Sequence, residues 1–116
     1  MIKKVTDFVQ GKAPLTAKRS SSWPKIRKAF LIQNQCCAVC GKTRSLEVHH
    51  IIPFHVRPDL ELELTNLIVL CEGVTTNCHL FFGHLNNYVS YNVAVREDAL
   101  TWNHKIKTRP RRIRNG

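Results

Sequence analysis

Four cysteines in two pairs, Cys37-x2-Cys40 and Cys71-x6-Cys78, limit what this chain can fold into more than any other feature. A chain of 116 residues has room for one domain with a modest core. Four thiols gathered at one point add what such a core lacks, because a bound ion ties distant segments together. No apolar run approaches the length of a bilayer span, and the opening MIKKVTDFVQ has no apolar signal region, so the expected location is the cytoplasm, without a membrane partner. Five cysteines in that compartment favour metal over disulfides, and the odd number leaves one over. A soft tetrahedral set of four thiolates suits Zn²⁺ and leaves no open position, so the expected zinc is structural. Buried thiols without a ligand are the plainer alternative. Cys36 is the spare and is expected as a small core residue.

Charge gives the second constraint. The formal net charge is +10, from 18 Lys and Arg against 8 Asp and Glu. Residues 1–28 hold eight basic residues and the single acid Asp7, and residues 105–116 hold six basic residues and no acid. Two basic arms around a nearly neutral middle point to a polyanion, and nucleic acid is favoured because the middle then offers phosphate chemistry. A solvated surface with no partner is the competing explanation. The expected organisation is a basic arm over 1–20, a folded domain over 21–104 with its core at 36–86, and a mobile basic tail over 105–116.

Along the domain, Ser22-Trp23-Pro24 predicts a helix start, with a hydroxyl cap and proline in the first turn. Trp23, Ile26, Ala29 and Phe30 fall near helical spacing and should face inward up to an end near Gln35. Lys25 and Lys28 lie off that stripe, as candidate phosphate contacts or as solvated lysines. Gly41 suits the tight turn that aims Cys37 and Cys40 at one ion. Leu46 to Ile52 reads as a strand with Leu46, Val48 and His50 on one face. Pro53 and Pro58 force an irregular loop through Arg57, which sits beside the histidine pair as a candidate phosphate contact or equally a solvated arginine. Asn66 to Leu70 reads as a second, buried strand, Glu72 to Asn77 as a polar turn. A helix from Cys78 should carry Leu80, Phe81 and Leu85 inward, and Arg96 to Trp102 reads as one or two helical turns. His55 and His104 belong to no pattern and should be exposed.

The remaining histidines do. Hydrolysis of a phosphodiester needs a base to activate water and a cation to neutralise charge on the phosphate and the departing oxygen. His49-His50, His79 and His84 offer imidazoles for both tasks. The set Cys37–Cys40, His49-His50-Ile51, Asn66-Leu67, Leu70-Cys71 and Cys78-His79 resembles the HNH endonucleases over roughly residues 36–86. The resemblance implies an α+β fold, a small ββα-metal (His-Me finger) domain with a zinc knuckle and flanking helices. It implies His50 as general base, His49 and His79 as ligands of the catalytic cation, and Asn66 as the residue that ties the loop between the strands and steadies the base. The implied reaction is divalent-metal-dependent cleavage of DNA, by nicking or double-strand cutting, with 5′-phosphate and 3′-hydroxyl ends. The cation would be Mg²⁺ or Mn²⁺, and an imidazole-rich site would also accept Ni²⁺, Co²⁺ or Zn²⁺.

Two spacings differ from the family's usual pattern. Cys71 and Cys78 stand further apart than a CxxC pair, which an inserted loop would explain. The last histidine usually follows the helix ligand by four residues, where this chain has Gly83, and His84 comes one later. In an α-helix five residues put side chains about 140° apart, poor geometry for one ion. Either His79 precedes the helix, or the helix bulges, or His84 is no ligand. His49 and His50 would also point to opposite faces of an ideal strand unless the strand ends there. The rival readings are a zinc module that binds DNA without cutting it, and a nuclease subunit active only with a partner, such as a phage terminase or restriction machine. Small members of the family look like phage or mobile-element proteins, which suggests a prokaryotic or phage origin.

Overall fold

The structure, a computed structural model, describes residues 18–108. At its centre is a two-stranded antiparallel ribbon of β1 (Leu46–His50) and β2 (Leu67–Cys71), with Leu46 opposite Cys71 and His50 opposite Leu67. A lone ribbon is marginal in water, so it holds only if apolar partners cover it. Helix α1 (Trp23–Gln33) covers one face: Trp23, Ile26, Phe30 and Leu31 pack on Val48, Leu67 and Val69. The other face carries the cysteine knuckle, a π-helical turn (His79–Gly83) and helix α2 (Val95–Thr108). There Ile68 and Leu70 meet Val39, Val95, Ala99 and three of the cysteines. Covered on both faces, all five residues of β2 are buried. Ribbon, helical turn and cysteine cluster make the small α+β architecture of the ββα-metal kind that the sequence suggests.

Local details depart from expectation for identifiable reasons. Ala29 is exposed, because it lies about 120° round the α1 axis from Trp23 while Ile26 and Phe30 stay on the covered side. Ser22 stands at the cap position, but its hydroxyl makes no cap bond; its own backbone is already helical, and its N–H donates to Ser20 Oγ at 3.1 Å. Phe81 and Leu85 are each 55% exposed, and Phe82 turns inward instead, its ring 5.8 Å from that of Trp102. Cys36 is exposed and not a core residue. The knuckle turn begins at Cys37, whose N–H donates to the Lys42 carbonyl, and leaves Cys36 outside it.

Helix α2 runs to Thr108, so Lys105 to Thr108 are helical and not part of a mobile tail. Glu97 and Asp98 in its first turn and Lys105 and Lys107 in its last complement the helix dipole. Arg96 donates to the Leu67 carbonyl and Asn103 to that of Val39, pinning the helix to β2 and the knuckle. At the other end, Arg19 and Ser20 are bound to Glu61, so ordered packing starts before residue 21. The rest of the expected arms, 1–17 and 109–116, lies outside the described residues. Among the described residues no helix is long and apolar enough to cross a membrane.

Candidate active site and metal centres

The thiol site is assembled by two turns. Gly41, at φ +79°, allows its N–H to donate back to the Cys37 carbonyl at 2.9 Å, a conformation that strains any other residue. Cys71 ends β2, and a turn closed by Gly73 N–H to the Thr76 carbonyl at 2.8 Å returns the chain to Cys78. That turn is how the wide x6 spacing is bridged. The four sulfurs lie within 4.8 Å of one another. Cys40 Sγ and Cys71 Sγ are 3.8 Å apart. With metal–sulfur bonds of about 2.3 Å, the edge of a tetrahedron is about 3.8 Å. A hydrogen bond from Cys78 holds the Cys37 thiol down to about 4, while the same contact and burial push Cys78 up. Without a cation only part of such a set can ionise. The spacing and the donor type both fit zinc.

The second centre is an imidazole cluster. His49, His79 and His84 bring three ring nitrogens within 4.8 Å of one another. His79 Nε2 is 3.0 Å from His49 Nδ1 and 3.2 Å from His84 Nε2. The outer nitrogens settle the proton positions. His79 Nδ1–H donates to Glu72 Oε1 at 2.6 Å, and His84 Nδ1–H donates to the Ser90 carbonyl at 2.7 Å. A carboxylate and a carbonyl only accept, so in the neutral rings both Nε2 atoms are bare lone pairs facing each other. His49 is buried, and its Nε2 has no partner among the described residues. Burial, with the neighbouring histidines, lowers the His49 pKa to about 3, so protons are a poor answer to this crowding. The three inward nitrogens could hold a cation, which would answer it, and three protein ligands would leave positions open for water or a phosphate oxygen.

The five-residue step from His79 to His84 is accommodated by the π turn. Its wider, i→i+5 winding brings residues five apart back to one side, where an α-helix would separate them. Of the three possibilities that the spacing leaves open, the bulged helix is the one found. Asn77 Oδ1 accepts the Leu80 N–H at 3.0 Å at its start. At its end Leu85 and Asn86 adopt left-handed φ of 54° and 65°, which swing the chain back toward Ser90. Gly83 is where the His49 ring rests: a Cβ there would come within 3.1 Å of His49 Cε1 and Nε2.

His50 is on the opposite side of β1, its ring centroid 4.4 Å from that of Trp23. Yet β1 ends at His50, and the residue lines the same open cleft, about 420 Å³ in volume, as the three-histidine cluster. Its Nε2–H donates to the Glu61 carbonyl at 2.9 Å, which leaves Nδ1 as the basic nitrogen. Asn66 is buried and clamps the loop between the strands: Oδ1 accepts the Ile52 N–H at 2.9 Å, and Nδ2 donates to the carbonyls of Ile52 and Leu60 at 3.1 and 3.3 Å. Leu60 precedes Glu61, so this clamp holds the carbonyl that orients His50.

Lys25 and Lys28 are exposed on α1. The Arg57 guanidinium is engaged by Asp59 at 2.7 and 2.9 Å, and Arg57 does not line the cleft that holds the histidines. His104 is exposed as expected; His55 is exposed too, but at the lip of the cleft. Sequence reasoning missed Glu72, Tyr88 and Glu61. Tyr88 donates to Glu72 Oε1 at 3.2 Å, and its ring lies 5.0 Å from that of His84. None of the three sits at a motif spacing; the one available signal was an acid directly after Cys71.

No curated protein and no solved structure matches this chain. Residues 37–80 match the family model for HNH endonuclease, a stretch that contains the four paired cysteines with His49, His50, Asn66 and His79.

Proposed function

We propose that the chain is a divalent-metal-dependent DNA endonuclease, with His50 as general base and His49, His79 and His84 as the ligands of the catalytic cation. The observation that carries the reading is the trio of inward imidazole nitrogens with too few protons to satisfy them, in the cleft that His50 also lines. A bound Mg²⁺, Mn²⁺ or similar ion would supply charge neutralisation to the phosphate and its leaving oxygen. The rest is done by the chain. Glu72 and the Ser90 carbonyl fix the tautomers of His79 and His84, so that their Nε2 lone pairs stay aimed inward. The Glu61 carbonyl does the same for His50, whose Nδ1 accepts a proton from the attacking water. Asn66 keeps the loop that carries this carbonyl in place. Lys25, Lys28 and Arg57 supply phosphate contacts, which make affinity salt-dependent without reading sequence.

Supercoiled plasmid incubated with the chain and Mn²⁺ or Mg²⁺ should convert to open circles. The conversion should stop when divalent ions are withdrawn and resume when they are restored. Retarded but uncut plasmid under every ion would favour a zinc module that only binds DNA.

A second expectation concerns Gly83. In a helical turn Gly→Ala is ordinarily favourable by about 0.5–1 kcal/mol. Here the added Cβ would press on the His49 ring at 3.1 Å and on the buried Leu70 Cδ1 at 3.2 Å, which offsets that gain. Gly83→Ala should therefore leave the melting temperature nearly unchanged while weakening Mn²⁺ binding about 10–100-fold, the usual size of a disturbed ligand-positioning contact. Isothermal titration beside a thermal melt checks it. Unchanged Mn²⁺ affinity would mean that His49 is not held as a ligand by this contact.

A further inference from the structure

We propose that Arg19 binds the phosphodiester in the cleft, and that Glu61 positions Arg19 and His50 together, one through its carboxylate and the other through its carbonyl. The proposal rests on the nuclease reading above and adds to it the group that holds the substrate. Glu61 is 3% exposed in an irregular loop, where an acid side chain is costly unless fully paired. Both its oxygens are used: Oε2 accepts Arg19 Nε–H at 2.7 Å and Oε1 accepts the Ser20 N–H at 2.8 Å. Its carbonyl accepts His50 Nε2–H at 2.9 Å. One buried residue therefore fixes a guanidinium and the candidate base relative to each other.

The surroundings of Arg19 fit a binding group better than a plain surface ion pair. Its guanidinium carbon lies 5.6 Å from the Trp23 ring centroid and 4.7 Å from that of Phe54. Trp23 in turn lies against His50, ring centroids 4.4 Å apart and the planes tilted by 41°. So the guanidinium is braced by two aromatic faces and by Glu61, and little side-chain freedom is left to lose on binding. Among the described residues only Nε is spent in hydrogen bonds, so the two terminal nitrogens keep their donors. The side chain is 49% exposed and lines the cleft beside His49 and His50. A planar fork of donors at the wall of an imidazole-lined cleft matches two oxygens of a phosphate.

Arg19→Ala, Arg19→Lys and the unchanged chain decide the matter in plasmid nicking, thermal melts and binding of a short labelled duplex. The binding is measured across salt concentrations in a His50→Ala background. Arg19→Ala should lower kcat/KM about a hundredfold, the scale for one lost charge-stabilising donor. It should also reduce the salt slope of duplex binding by about one. Arg19→Lys is the discriminating variant. A lysine can restore the ion pair with Glu61 and hence the melting temperature, but a single ammonium held there offers no fork to phosphate, so nicking should stay at least tenfold down. If lysine restores both melting temperature and nicking, or if alanine changes neither nicking nor salt slope, Arg19 is structural and the proposal falls while the nuclease reading stands. If the unchanged chain does not nick, the nuclease reading falls, and the salt slope alone still tests whether Arg19 meets phosphate. Should the alanine variant fail to fold, the lysine variant decides.

Discussion

His50→Ala is expected to reduce plasmid nicking by about 10²–10⁴-fold, the range for loss of a positioned general base, while zinc content, Mn²⁺ affinity and duplex binding stay close to those of the unchanged chain. The basis for separating these readouts is geometric. His50 reaches the cleft from the side of β1 that faces α1, and it is not among the three rings whose nitrogens converge. Its removal takes away a proton acceptor without opening the cation site. Burial keeps its imidazole neutral, pushing the pKa below the usual value; the Glu61 carbonyl opposes this by favouring the protonated ring, and the Arg19 charge acts with burial. A neutral ring with Nε2–H committed to a carbonyl has one free lone pair, at Nδ1, and that is the form a base must have. His49→Ala is the contrasting variant. It removes an inward nitrogen, so Mn²⁺ affinity should fall together with nicking. If His50→Ala instead nicks at full rate, the base is elsewhere in the cleft, and His55 at its lip is the next imidazole to replace.

The parts of this arrangement that were legible in the sequence are those set by short-range spacing or by continuous apolar runs. Cys37-x2-Cys40 with Gly41 is a local turn, and the turn is found. Leu67 to Leu70 is an unbroken apolar stretch, and it is buried throughout because both faces of the ribbon are covered. The alternation that sets Leu46, Val48 and His50 on one side of β1 is also found, with Val48 and His50 both meeting the α1 side. What was not legible depends on contacts across many residues. A π turn has no residue signature of its own; only the five-residue step from His79 to His84 hinted at one. Glu61 looks like an ordinary acid in a polar loop until the fold sets it 41 residues from Ser20 and 11 from His50 as partners. Asn92 is similar. It donates to the Phe82 carbonyl and to Asp98, and accepts the Ala94 N–H, so one amide joins the π turn to α2. The length of α2 is obscured in the sequence by its charge, since a basic run such as Lys105 to Lys107 looks the same in a helix end as in a tail. Once Val95 and Ala99 are anchored in the core, the basic last turn is favourable at a helix C-terminus.

Loss of the thiol-bound ion should have the largest effect on the fold itself. Cys71→Ser is expected to abolish zinc retention and, with it, cooperative thermal unfolding, whereas Cys36→Ser should leave both intact. Domains of this size are stable by about 5–15 kcal/mol. Structural zinc contributes about 10–16 kcal/mol to folding in zinc-finger peptides at neutral pH. The second figure matches or exceeds the first, so a core that relies on such an ion is not expected to survive its loss. The position of the cysteines sharpens this. Cys37, Cys71 and Cys78 are themselves members of the cluster that joins β2 to α2, and the turn from Cys71 to Cys78 is what delivers His79 to the cleft. With the Cys71 thiol gone, Cys37, Cys40 and Cys78 would remain crowded without a complete donor set, and Cys37 and Cys78 cannot move apart without unpacking the cluster that holds β2. Elemental analysis for zinc together with circular dichroism through a melt tests the pair of variants. Cys36 serves as the control because it is exposed and one residue outside the knuckle, so any effect of simply losing a thiol appears there too. A Cys71→Ser chain that melts like the unchanged one would show that the apolar packing of the ribbon suffices, and the four thiols would then be core residues with no ion to hold.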